Sequence, residues 1–190
     1  GTIESYLIYR LTGGLHVTDA SNASRTMLLA LDGDDWDDAL LSLFAIPRQA
    51  LPQIVDCAGD LGATAADLFG SSIAIAGSAG DQQAATTGQG CLAVGQTKAT
   101  FGTGAFVLTN SGDTPPRSDN RLLSTILYQY QGKRIYALEG AIFVAGSLIQ
   151  WLRDDIGLLK FAGESEELAR SVADNGGVYL VPALSGLGAP

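Results

Sequence analysis

Positive charge is scarce in this chain. Its 190 residues carry 11 Lys and Arg against 20 Asp and Glu, a formal net charge of −9. The cations are scattered and form no basic stripe, which argues against nucleic acid or an anionic membrane as a partner. Cysteine is nearly absent: Cys57 and Cys91 are too few for a disulfide framework or a thiolate metal cluster. No signal peptide is legible, and no apolar run is long enough to cross a bilayer. A reducing, cytoplasmic setting is therefore expected, with both thiols as small buried residues. The single histidine, His16, has no Cys or carboxylate arrangement around it that would make a triad or a metal site. Asn22-Ala23-Ser24 fits a glycosylation acceptor but has no such meaning in a cytosolic protein.

Glycine and apolar residues are plentiful. The chain has 24 glycines against 6 prolines and is 46% hydrophobic, enough to bury a real core near the one-or-two-domain boundary. Abundant glycine marks either many tight turns or backbone that must approach a ligand closely. An acidic protein that holds a nucleotide must rely on backbone amides, helix N-termini and a divalent cation.

Along the chain, Thr2 reads as the N-cap of a helix whose apolar face is Ile3, Leu7, Ile8 and Leu11, closed by Gly13-Gly14. His16 to Arg25 reads as a polar loop. Asp34 to Asp38 place acids at the start of a helical stretch, Ala39 to Phe44. Pro47 and Pro52 open short turns or helical pieces through Leu68. Ile73-Ala74-Ile75-Ala76 predicts a short buried strand, followed by a loop and a helix of small residues that Gly88-Gln89-Gly90 breaks. Residues 97–101, 105–110, 123–130 and 134–138 read as strands, with Gly132-Lys133 as a turn. Helices are expected over 141–152 and 165–173, and a last strand over 178–181. The pattern is α/β, a mixed sheet with helices packed on it. The lobe boundary is expected near Gly90, giving 1–90 and 91–190.

Three segments could carry chemistry. Asp81, in Gly80-Asp81-Gln82-Gln83 after the apolar strand, could take a proton from an alcohol or hold a metal; it could equally be a helix N-cap. In Phe101-Gly102-Thr103-Gly104-Ala105, flanking glycines let amides and the Thr103 hydroxyl converge on an anion, or simply form a hairpin turn. Gly146, placed inside a helix, costs roughly 1 kcal/mol relative to alanine. Either close helix packing or close approach of a nucleotide would explain it, and Gln150 lies on the same helical face.

Together these segments are specific. Thr18-Asp19-Ala20-Ser21-Asn22-Ala23-Ser24-Arg25-Thr26-Met27-Leu28, Ala79 to Ala85, Phe101 to Gly104, Ala137 to Ala141 with Ile149 to Asp154, and Leu187 to Pro190 occur in this order. The chain resembles the FGGY family of carbohydrate kinases, and within it the middle of the glycerol kinases, over essentially its whole length. The resemblance implies an actin-like, RNase H-type ATPase fold, with parts of two lobes: the first on the substrate side, the second on the nucleotide side. It implies ATP and Mg2+ as cofactors and transfer of the γ-phosphate to glycerol, giving sn-glycerol 3-phosphate. By the same resemblance Asp81 is the catalytic base, Gln82 touches the polyol, and Phe106 lies against its carbons. Gly102, Thr103, Gly146 and Gln150 meet the nucleotide, and no residue of this chain is a metal ligand.

There are departures. Ser72 stands where sugar-bisphosphate-regulated relatives carry arginine, so inhibition of that type is not expected. The family's N-terminal phosphate-binding turn, its Arg-Glu pair and tyrosine for the polyol, and its later adenosine motif find no match. The chain therefore reads as an internal piece, inactive alone, whose exposed edges would favour homo-oligomers. A pentulose kinase, or a non-catalytic structural fragment, are the alternatives.

Overall fold

The computed structural model describes residues 1–188. The chain divides into two compact units. The first takes residues 1–98, 108–118 and 123–138; the second takes 99–107, 119–122 and the residues from 139 on.

The first unit opens with helix α1 (Ile3–Thr12), entered at Thr2 and ended by Gly13 in the left-handed region. The Thr2 hydroxyl turns to Glu4 rather than to a helix amide, at 2.7 Å. Only Ser5 and Ile8 of α1 are buried; Ile3 and Leu7 are exposed, so the expected apolar face is not a core face. The expected polar loop is instead strand β1 (Val17–Asp19) running into the short helix α2 (Ala20–Ala23). Its polar side chains are buried and bonded to one another, which satisfies them as water would in a loop. Asp37 caps α3 (Asp38–Leu43) by accepting from the amides of Ala39 and Leu40. After a 3-10 turn over Arg48–Ala50, β2 (Gln53–Val55) pairs with β1 in parallel.

Helix α4 (Ala66–Phe69) precedes residues 73–76, which were expected to be a buried strand. They form no regular strand. Ile73 is about half exposed, and the segment is tied to 58–64 by isolated bridges and an irregular set of backbone bonds. It leads into α5 (Asp81–Gly88), which ends at the predicted Gln89-Gly90 break.

The four-stranded sheet has the order β3-β4-β6-β5, with β3 (Thr97–Phe101), β4 (Ala105–Gly112), β5 (Leu123–Tyr130) and β6 (Lys133–Ile142). Gln131 and Gly132 both have positive φ, the requirement of a two-residue hairpin turn matched to strand twist. Ala20, Ala23, Leu28, Leu29, Trp36 and Leu41 pack with Ile126 and Tyr136 into the first unit's core. The polar tips of the two aromatics are satisfied, the Trp36 indole by the Pro52 carbonyl at 2.8 Å and the Tyr136 hydroxyl by the Leu31 carbonyl at 2.9 Å.

In the second unit, α6 (Gly146–Asp154) starts five residues later than expected, because β6 runs on to Ile142 and the Ala145 amide is bonded to the Thr103 carbonyl. Helix α7 (Glu164–Arg170) stands near its expected place. Residues 178–181 are exposed and unpaired to any strand among the described residues, so the expected last strand is not formed. No described helix is long and apolar enough to cross a membrane.

Candidate functional site

In the first unit, Asp81 is the first residue of α5, and Gly80, not Asp81, occupies the cap position. The Asp81 carboxylate is exposed and accepts the Gln82 amide at 2.8 Å. The cap reading is thus corrected: the side chain touches a first-turn amide but leaves most of its acceptor capacity free. Gln82 is half-buried, and its Oε1 accepts from the ammonium of Lys98 at 2.5 Å. Lys98 is 1% exposed, on β3, and sequence reasoning did not single it out. Gln83 is buried, with its amide nitrogen donating to the Thr125 hydroxyl at 3.3 Å.

The loop before Asp81 is held by the 19–24 segment. Asp19 is wholly buried. Its Oδ2 accepts the Ser21 amide at 2.9 Å, the Ser21 hydroxyl at 2.5 Å and the Asn22 amide at 3.2 Å. Its Oδ1 accepts the Asn22 side-chain amide at 2.7 Å and the Ser78 hydroxyl at 2.9 Å. Ser21 Oγ in turn accepts the Gly80 amide at 2.9 Å. A side chain at Gly80 would meet Gln83 Oε1 at 2.6 Å. Among these residues only the presence of the motif, not its role as a brace, was legible beforehand.

Cys57 also faces this carboxylate, donating to Asp19 Oδ2 at 3.4 Å. Burial, with the negative charge of Asp19 second, pushes its thiol from 9.0 up to about 11. The neutral thiol is the reactive-site opposite of an activated cysteine. Alkylation of Cys57 by iodoacetamide, followed by peptide mass spectrometry, should therefore rise with pH about a midpoint near 11 rather than 9. A midpoint at or below 9 would contradict this environment. A cavity of about 530 Å³ lies beside Cys57, lined also by Ala84, Thr87 and Tyr128, but neither Asp81 nor Gln82 lines it.

In the second unit, the turn between β3 and β4 meets the start of α6 through backbone bonds, joined by the Ser147 hydroxyl, which donates to Thr103 O at 3.0 Å. Gly146 N donates to Gly102 O at 2.9 Å, Ala145 N to Thr103 O at 2.8 Å, and Ser147 N to Thr103 O at 3.2 Å. A Cβ on Gly104 would stand 2.5 Å from the Ile142 carbonyl, and one on Gly146 would collide with the Gly102 carbonyl. Gly146 is therefore not an interior helix glycine. It opens α6, and its missing side chain admits the 102–104 backbone rather than another helix. Gly102 and Thr103 are exposed. Among the described residues, neither the Thr103 amide nor its hydroxyl has a hydrogen-bond partner. Gln150 is exposed one turn along α6, and Phe106 is half-buried on β4.

The structure thus groups Asp81 with Gln82 in one unit, and Gly102, Thr103 and Gly146 in the other. Among the described residues no group of three His, Cys, Asp or Glu could hold a metal ion.

Residues 1–88 match the N-terminal domain of the FGGY family of carbohydrate kinases, and residues 97–190 match its C-terminal domain. The chain belongs to the FGGY family. It is 56% identical to a glycerol kinase of Bradyrhizobium sp. (strain ORS 278), over 100% of this chain and 38% of that relative. Among solved structures, this FGGY chain is similar to a Plasmodium falciparum glycerol kinase with ADP, at a TM-score of 0.90 and 36% identity, covering 98% of this chain and 38% of that one. It is also similar to a xylulose kinase from Rhodospirillum rubrum, at a TM-score of 0.82 and 26% identity, covering 97% and 38%. The fold is accordingly a part of the actin-like ATPase fold of FGGY kinases. The FGGY chain spans about 38% of the length of the curated relatives it matches.

Proposed function

We propose that this chain contributes the catalytic carboxylate and part of the nucleotide site to an ATP-dependent glycerol kinase that makes sn-glycerol 3-phosphate. The carrying observation is like-for-like: 36% identity to a solved glycerol kinase against 26% to a solved xylulose kinase, over nearly the same residues. We also place the junction of a substrate-side and a nucleotide-side lobe near Gly90, between the two family matches.

In this reading Asp81 Oδ accepts the proton of the attacking alcohol as the oxygen–phosphorus bond forms and the bond to the leaving ADP breaks. An exposed carboxylate with spare acceptor positions suits that role. Gln82 binds a polyol hydroxyl, and Phe106 gives an apolar wall that favours a three-carbon acceptor over a longer sugar. The unpartnered Thr103 amide and hydroxyl, flanked by glycine, fit a phosphate oxygen. Gly146 keeps that turn against α6, and Gln150 extends the nucleotide side. Magnesium, when bound, neutralises charge on the phosphate oxygens.

Release of ADP, measured on the intact protein containing this segment, tests the reading. Glycerol with Mg-ATP should support turnover and xylulose or ribulose should not; preference for a pentulose would replace glycerol as the substrate. The 190-residue chain alone should show no appreciable turnover, and robust activity from it would defeat the view that the polyol clamp needs further residues.

A further inference from the structure

We propose that Asp19 is a positioning residue for Asp81, holding the loop that aims the catalytic carboxylate. The proposal rests on Asp81 being the base. A wholly buried carboxylate is costly unless it is fully hydrogen-bonded, and six donors supply those bonds here. Four of the six come from Ser21 and Asn22 in its own turn. One is Cys57, from the segment after β2. The sixth, Ser78 Oγ, belongs to the loop three residues before Asp81.

A second tie runs through Ser21. Its hydroxyl donates to Asp19 Oδ2, and its oxygen accepts the amide of Gly80, the residue immediately before Asp81. Because Asp19 accepts the hydroxyl proton, Ser21 must present a lone pair to Gly80. The charge of Asp19 thus sets the direction of both bonds. The loop has no strand ladder of its own to fix it, since residues 73–77 pair only irregularly. Beside the Ser78 amide, which donates to the Cys57 carbonyl at 2.9 Å, its two side-chain anchors on the 19–21 segment hold the start of α5.

The helix is braced from the other side through the same segment. Ser24 Oγ lies 3.0 Å from Thr125 Oγ1, which accepts from Gln83 two residues after Asp81. A polar run near the chain's beginning therefore grips both sides of the catalytic position. Misplacing a reacting group by about 1 Å can cost on the order of 100-fold in rate. That is the kind of loss expected when the brace fails.

The experiment uses the intact enzyme. Ser78→Ala removes one bond to Asp19 and leaves the rest of the network in place; Ser78→Thr keeps the hydroxyl. Asp19→Asn places an amide nitrogen against donors. Ser78→Ala and Asp19→Asn should each lower kcat about 10- to 100-fold while KM for ATP stays within about threefold. Ser78→Thr should restore most of kcat. If Asp19→Asn does not fold, the Ser78 pair decides. Loss of thermal stability with kcat per folded molecule unchanged in Ser78→Ala would overturn the proposal, as would a threonine variant no better than alanine. Asp81→Asn measured alongside separates the two ideas. If it keeps turnover, the base assignment fails; if it is inactive while Ser78→Ala is normal, only the positioning role fails.

Discussion

Asp81→Asn in the intact enzyme should lower turnover about 10²- to 10⁴-fold while leaving the KM for ATP nearly unchanged, the span a positioned general base contributes. The substitution is close to isosteric, and the one bond the Asp81 side chain makes among the described residues, from the Gln82 amide, can be accepted by the asparagine carbonyl as well. Helix α5 would therefore keep its start and its hold on Lys98 and Thr125 through Gln82 and Gln83. What disappears is the capacity to take a proton. Steady-state kinetics with glycerol and Mg-ATP, alongside circular dichroism to confirm folding, would check it. Turnover within a few-fold of the parent would move the base elsewhere and leave Asp81 as a first-turn acid.

Gly146→Ala should raise the KM for ATP at least about tenfold and lower thermal stability, with the KM for glycerol little changed. The added methyl would collide with the Gly102 carbonyl oxygen and stand 3.2 Å from its carbon. Both partners are backbone, so no side-chain rotation relieves the contact. Overpacking of this kind costs about 1–3 kcal/mol. The same carbonyl accepts the Gly146 amide, so relief by moving the turn also sacrifices that bond. Either way Thr103 shifts, and with it the amide and hydroxyl proposed to meet a phosphate oxygen. Gly88→Ala is the control, because a Cβ there meets nothing within 4 Å. Nucleotide affinity measured by calorimetry on both variants would decide; equal affinities would remove Gly146 from the nucleotide site.

The parts of the fold that sequence made legible are those governed by local chemistry. Helix α5 with its glycine break, the acid-led start of α3 and strands β3 and β5 follow from the helix dipole, alternation and turn residues. The failures share a cause. At 17–24 Thr18, Asp19 and Ser21 are buried alongside only Val17 and two alanines, so a reading that counts large apolar positions sees a loop. Residues 178–181 have the β-branched and aromatic character of a strand but no partner strand among the described residues, and propensity alone does not bury them. Residues 141–145 have helical character, but 141–142 are drawn into β6, where pairing overrides propensity, and the Ala145 amide is held by the Thr103 carbonyl.

The site shows the same division. Asp81 and Thr103 were visible because their residue types and glycine neighbours carry chemistry on their face. Gly146 was visible too, but its reason was not: the carbonyl it accommodates lies 44 residues away in sequence. The Asp19 brace reaches 59 residues, from Asp19 to Ser78. Pairings of that span leave no periodic trace in a single sequence.

The contact between Lys98 and Gln82 fixes more than a side-chain rotamer. An ammonium has protons to give and no lone pair, so the atom it meets must be the carboxamide oxygen. If Gln82 binds the polyol as proposed, the nitrogen end is what remains on offer, and an incoming alcohol would be greeted there through its oxygen. Its own hydrogen then stays uncommitted, available to the neighbouring carboxylate one residue earlier in the chain.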